Sequence, residues 1–267
     1  MSITPWFTAL AVMLCLGFLT WLLSLKLKDV GIVDSLWSLM FLAGAGIYLY
    51  ESAMDTRAWL LFALIAVWAL RLSIFLTVRN WGEEEDSRYQ VIRGNNEPFW
   101  IKSLYIVFGL QAALAWFISI PLLYAIGATT TIGLLDTVAI GLWLIGFFFE
   151  AVSDQQLYRF KSDPSNVGKV LDTGLWRYTR HPNYFGESLI WWAYYLFAAP
   201  HGPWWIIVAP ILMTVLLLKV SGVAMMEKTI STRRPEYADY IDRTNAFLPG
   251  IPRAKGTGND NEELKAS

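Results

Sequence analysis

Cysteine and histidine are almost missing from this 267-residue chain, which has one Cys, at position 15, and two His, at 181 and 201. One thiol closes no intramolecular disulfide, and Cys15 sits alone in an apolar run, where it reads as helix filler. Neither histidine has a second His or a carboxylate at metal-ligand spacing, so no metal is expected; His201, in "HGP", reads as a turn residue. Charge is scarce as well. Asp, Glu, Lys and Arg make up 16% of the chain, against about 25% in average soluble proteins. The net charge of −1 leaves no basic stripe for nucleic acid. No GxGxxG follows a strand, and the fragment "GAG" at 44–46 lies in an apolar span and reads as packing, so a Rossmann fold is not expected. Repeats of solenoid period are absent too.

What the chain does have is apolar sequence: 55% hydrophobic residues and 14 Trp. Seven runs, at 3–25, 30–50, 57–79, 98–126, 131–158, 183–200 and 203–226, approach the roughly 20 residues that cross a hydrocarbon core. The first has no basic region ahead of it and runs into "SLKLKD" instead of a small-residue cleavage site, which predicts a retained helix. Pro98 and Pro203 fall at helix starts, and Pro121, inside the fourth run, predicts a kink. Lysines and arginines cluster after runs one, three, five and seven, whereas "ESAMDT", "GATTT" and "HGP" carry none and only Arg57 borders one of them. The expected fold is therefore an all-α integral membrane protein, a seven-transmembrane-helix bundle with its amino terminus outside and its carboxy terminus cytoplasmic. Residues 1–253 are expected to form a single membrane domain, and 254–267 a polar, disordered tail.

Asp34, Arg71, Glu150, Asp154, Glu187 and Lys219 fall within these runs and Glu227 at the end of the last, where a lone central charge costs about 2.5–3.5 kcal/mol. At about 1.5 Å per residue, all seven lie in the cytoplasmic half, which predicts one shared vestibule open to the cytoplasm. Glu150, Asp154 and Tyr158 recur every fourth residue and so stack on one helix face, as do Asn183 and Glu187. Taken singly, each charge could be an interhelical tie or snorkel to the interface; gathered on one side, they point to a ligand. A transporter would need polar groups towards the outer half too. The loop "QLYRFKSDPSNVGKVLDTGLWRYTRHPNYFGE" carries five cations and two turn signals, Asp163-Pro164 and Asp172-Thr173-Gly174. Topology requires only charge; Asn, His, Trp and Tyr woven between the cations ahead of a helix start suit a phosphate-bearing ligand.

The stretch Arg180-His181-Pro182-Asn183-Tyr184-Phe185-Gly186-Glu187, with Gly174-Leu175-Trp176 before it and "YADYIDRTNAFLPG" after it, resembles the membrane steroid 5α-reductase and sterol-reductase superfamily. Within it the chain resembles the bacterial proteins carrying a steroid 5-alpha reductase carboxy-terminal domain. Similarity covers 145–250, which the resemblance marks as the cofactor-binding half, and fades before it. Isoprenylcysteine and phospholipid methyltransferases carry a similar RHPxY element, so S-adenosylmethionine-dependent methylation of a lipid or thiol is the alternative activity. Asn183 and Glu187 favour the reductase.

The resemblance implies an NADPH-dependent enzyme of a bacterial inner membrane that reduces the C=C bond of a lipophilic enone, for example a 3-oxo-4-ene steroid. It implies Asn183 on the nicotinamide carboxamide, Trp176 and Tyr184 beside the ring, and Glu187 orienting this edge. Asp154 and Glu150 would face the ribose, Arg159 or Lys161 the 2′-phosphate, and Arg180 and His181 the pyrophosphate or ribose. Glu227, Arg233 and Tyr240 would clasp the adenosine end, and Leu171, Arg177 and Tyr178 complete the set. At the substrate end animal steroid reductases present a Gln-Glu pair in the second helix and a Tyr in the third. Here Asp34 is the only carboxylate of run two, and Trp68 takes the third-helix place. An enolate still needs a preorganised donor. The candidates are Asp34, as a neutral acid in a dry site, Tyr89 in "EEEDSRYQVIR", and Arg71, which could neutralise the developing charge.

Overall fold

The computed structural model describes residues 2–220 and 236–253, and all regular structure among them is helical. Glu227, Arg233 and the tail 254–267 lie outside the described residues. In chain order the helices are α1 (Thr4–Leu27), α2 (Ile32–Tyr50), α3 (Thr56–Asn80), α4 (Ser87–Gly94), α5 (Phe99–Gly127), α6 (Leu134–Ser162), α7 (Pro182–Ala198), α8 (Trp204–Lys219) and α9 (Glu236–Arg243). Five of them, α1, α2, α3, α5 and α6, are long and apolar enough to cross a membrane. They fall within a few residues of the first five expected spans. Helices α7, with 17 residues, and α8 are shorter. The chain divides into two compact units, Met1–Leu142 with Trp191–Met213 and Trp143–Ile190 with Thr214–Ser267.

In the first unit α1 is apolar on all sides. It buries Pro5, Ala9, Met13, Gly17 and Trp21, one residue in four, and turns Phe7, Leu14, Phe18 and Leu22 outward. An outward face of that kind is compatible with lipid contact. Pro121 interrupts α5 as expected: it has no N–H to give, and the helix breaks at Ser119. The carbonyl of Trp116, at this break, accepts the Ser119 hydroxyl at 2.7 Å and the Trp6 indole N–H at 2.9 Å. Trp116 returns its own indole N–H to the Trp6 carbonyl at 2.9 Å, and the two rings stack with centroids 4.0 Å apart. A proline-induced break thus becomes the point where α1 is fastened.

Arg57 shows how much a sequence position can conceal. Its side chain is 1% exposed and reaches Asp136 on α6 at 2.8 Å through Nη2 and at 3.1 and 3.2 Å through Nε. Nη1 donates to the carbonyl of Ala125, and Nη2 also donates to that of Phe197 at 2.8 Å. One guanidinium therefore joins ends of α3, α5, α6 and α7. Asp136 also accepts the Gly133 N–H at 2.9 Å. This buried charge lies inside expected span five and is not among the seven that the depth argument gathers.

In the second unit two glycines set the spacing of α6 and α7. A Cβ on Gly186 would lie 2.5 Å from both the Glu150 nitrogen and the Gly146 carbonyl oxygen, and one on Gly146 would lie 2.6 Å from the Gly186 carbonyl oxygen. Backbone meets backbone here, as at small-residue crossings of membrane helices. Gly186→Ala is expected to force the helices apart and to cost about 2 kcal/mol or more, read as a lower unfolding midpoint in detergent; an unchanged midpoint would refute the close crossing. Between the helices, Gly174 takes φ +61°, and a Cβ there would strike the Gln156 side chain at 2.4 Å. That amide end can swing aside, so it is the backbone conformation that fixes the turn expected at Asp172-Thr173-Gly174 to glycine. The segment after α9 is laced to "RYTR": the Arg180 N–H donates to Asn245 O at 2.9 Å, and the Gly250 N–H to Tyr178 O at 2.9 Å.

Candidate functional site

Two polar groupings stand out, one in each unit. The first forms where the α2 start meets the connector carrying α4. Asp29, by accepting the Gly31 N–H at 2.7 Å, shapes the entry to α2, so Asp34 one turn later is not needed as a cap. Its carboxylate accepts the Tyr89 hydroxyl at 2.6 Å and Arg88 Nη2 at 2.9 Å. Gln111 of α5 donates to the Tyr89 oxygen at 3.3 Å. Two residues that the sequence proposes as separate proton donors are therefore hydrogen-bonded to each other. Tyr89 is 7% exposed; its burial, then the Asp34 charge, push the phenol well above its ordinary range, so it holds its proton at neutral pH.

The connector is built to hold this pair. Asp86 caps α4, accepting the Arg88 N–H at 2.9 Å, and grips the Arg88 guanidinium at 3.0 Å. Burial alone would raise the Asp86 carboxyl; the bonds and charge of Arg88 outweigh it and hold it below the ordinary carboxylate value. Glu85 accepts the Val30 N–H at 2.9 Å and pairs with Arg93 at 2.7 Å, and Arg93 lies 4.4 Å over the Phe99 ring. The run "EEEDSRYQVIR" thus ties itself to the α2 entry. Arg71, the third candidate, lies 5.6 Å over the Phe75 ring. Trp68, at the third-helix place, is fully buried in an aromatic nest with Phe41, Trp191 and Tyr194.

The second grouping follows from the Gly146–Gly186 crossing. Glu150 and Asp154, one turn apart on α6, are 2% and 5% exposed. The Asn183 amide of α7 donates to Asp154 at 3.2 Å. His181 and Tyr184 stack with interplanar angle 4°. The Trp176 indole donates to the Ser153 carbonyl at 3.1 Å, and the Tyr240 hydroxyl donates to the Trp176 carbonyl. Burial, then neighbouring Tyr237, push the Tyr240 phenol up. Arg180 donates through Nη1 to the carbonyls of Ile241, at 3.1 Å, and Thr244. It therefore clamps the segment after α9, a structural task beside the ligand contact that the resemblance implies. Leu171 and Glu187 are half-buried, whereas Arg159, Lys161, Arg177 and Tyr178 are exposed. Asp34 and Arg71 belong to the first unit, and Glu150, Asp154, Glu187 and Lys219 to the second.

The sequence reading passes over Gln111 and Gly146; Arg88 counts there only as a loop cation and Gly186 only as a motif residue, without the part each takes in the Asp34–Tyr89 group and the α6–α7 approach. The i, i+4 relation of Gly146 to Glu150 is a signal that could have found the glycine. Nothing local marks Gln111.

A family model described as "Protein of unknown function (DUF1295)" matches residues 20–244. "Uncharacterized protein C594.04c" of Schizosaccharomyces pombe is 27% identical over 285 residues, covering 92% of this chain and 80% of that protein. No solved structure matches the chain significantly.

Proposed function

The chain belongs to the family described as protein of unknown function DUF1295, and we propose that it is a membrane-embedded, NADPH-dependent reductase of a lipophilic enone. The observation that carries the reading is the Asn183 amide bonded to Asp154, at 3.2 Å, with buried Glu150 one turn away. Asn183 comes from the motif that resembles the reductases, and Asp154 and Glu150 from the stretch 145–250 that the resemblance covers. Their chemistry fits a nicotinamide dinucleotide: an amide for the carboxamide, carboxylates that accept from ribose hydroxyls, and the exposed cations Arg159 and Lys161 at the end of α6 for a 2′-phosphate. When bound, the cofactor would supply a hydride.

The chain's own contribution at the substrate is a proton held at the phenolic oxygen of Tyr89. Asp34 and Gln111 orient it, and Arg88 holds Asp34. An enone oxygen that takes this hydrogen bond acquires a donor for the negative charge it develops as the β-carbon gains hydride. A proton from water, added at the α-carbon of the enolate, completes the saturated ketone. A 3-oxo-4-ene steroid has the needed conjugation and solubility in a bilayer.

The membrane arrangement of this reading has seven spans, an outer amino terminus and a cytoplasmic carboxy terminus, from the lysine and arginine bias. Helix α7, at 17 residues, is about 26 Å long, within the range of spanning helices. The similar yeast protein means that a bacterial inner membrane is only one of the bilayers the reading admits.

Purified protein is expected to bind NADPH, and Asn183→Ala to weaken that binding about tenfold, the loss of a charge-assisted or paired amide contact. Fluorescence of the bound nicotinamide measures it. Stabilisation by S-adenosylmethionine, with no response to NADPH, would replace the reductase by the methyltransferase.

A further inference from the structure

Beside the Gly174 turn the second unit has a cleft of about 440 Å³, lined by Asp172, Thr173, Arg177, Arg243, Thr244 and Arg253 among others. Its walls come from two distant parts of the chain. Arg177 and Thr173 flank the turn, and Arg243 ends α9. Arg253 is held beside them because its backbone N–H donates to the Arg243 carbonyl at 2.9 Å. Three arginines thus line the cleft with one carboxylate, Asp172, which is already engaged by Arg243 Nη2 at 2.7 Å. That pair fixes the Arg243 fork, whose Nε is buried without an acceptor among the described residues. The lining carries a net charge of +2 from three cations and one anion, and includes two threonines.

We propose that this cleft binds a phosphomonoester dianion. Such a group carries about −1.5 to −2 charges near neutrality and several acceptor oxygens, which match forked guanidinium donors and hydroxyls better than a single carboxylate does. The dianion has two possible carriers with the same chemistry, a soluble phosphomonoester or the headgroup of phosphatidic acid. The site stands on its own residues. Arg177 is shared with the implied cofactor set, whereas Asp172, Thr173, Arg243, Thr244 and Arg253 are not.

The test uses the full chain with no nicotinamide cofactor, so that its failure and that of the reductase reading are distinguishable. Inorganic phosphate is titrated into the detergent-solubilised protein at constant ionic strength. In parallel, the protein is placed in phosphatidylcholine nanodiscs with and without phosphatidic acid, and unfolding midpoints are read in both arms. At least one arm is expected to raise the midpoint. The double variant Arg177→Gln/Arg253→Gln, both exposed positions, should then need on the order of tenfold more of that probe or fail to respond. A response to inorganic phosphate assigns a soluble carrier, and a response only to phosphatidic acid assigns the lipid headgroup. Silence in both arms, or equal responses from the variant and the parent chain, would overturn the site.

Discussion

Tyr89→Phe is expected to lower enone reduction by about 10²- to 10³-fold, the usual loss when one preorganised donor to a developing oxyanion is removed. The substitution deletes a single oxygen. It leaves the ring in its pocket with Val30, Val33 and Phe99 and leaves Asp34 paired with Arg88, so the stability loss should stay within about 1–2 kcal/mol. NADPH binding should be unaffected, because Tyr89 is not among the residues assigned to the cofactor. Product mass after incubation with NADPH and progesterone or testosterone measures the effect. The companion Asp34→Asn separates the two candidate donors. Tyr89 has one proton, and it lies on the 2.6 Å bond to Asp34. If Tyr89 is the donor, Asp34→Asn removes a competitor as well as an orienting group, and its loss is smaller than that of Tyr89→Phe. If Asp34→Asn is the more damaging, the acid is Asp34 and Tyr89 positions it. Full activity in both variants would remove this group from the reaction.

Arg57→Ala is expected to be the most destabilising change in the first unit. It leaves Asp136, with a side chain 10% exposed, without its cation, and it strips donors from the carbonyls of Ala125 and Phe197. Breaking one side of a buried pair costs about 3–5 kcal/mol, enough to prevent recovery of folded protein at ordinary temperature. The paired change Arg57→Met/Asp136→Leu should regain most of that loss, since it leaves no charge behind. Thermal unfolding of the solubilised protein measures all three chains. A paired variant as weak as Arg57→Ala would show that the two carbonyl bonds, more than the ion pair, hold the helix ends.

The first five spans are legible in the chain because length and apolarity are local quantities. The Pro121 break and the Gly174 turn are legible for the same reason: a missing N–H and a positive φ act on the residues next to them. The second-unit cluster was partly visible, since Glu150 with Asp154 and Asn183 with Glu187 share helix faces by simple spacing.

Partners that come together across the chain were not legible. Asp34 and Tyr89 are 55 residues apart, and Arg57 and Asp136 are 79 apart. In the sequence Arg57 is only a cation bordering a loop, and Asp136 an acid near a helix start. Folding put them face to face out of water, where a charge must find its opposite, and so made a buried knot of two unremarkable positions. The closeness of Gly146 and Gly186, and the meeting of Arg177 with Arg243 and Arg253, were likewise settled by which backbones approach. Hydrophobic length chose the helices; contact between residues far apart in the chain decided which polar groups could act together.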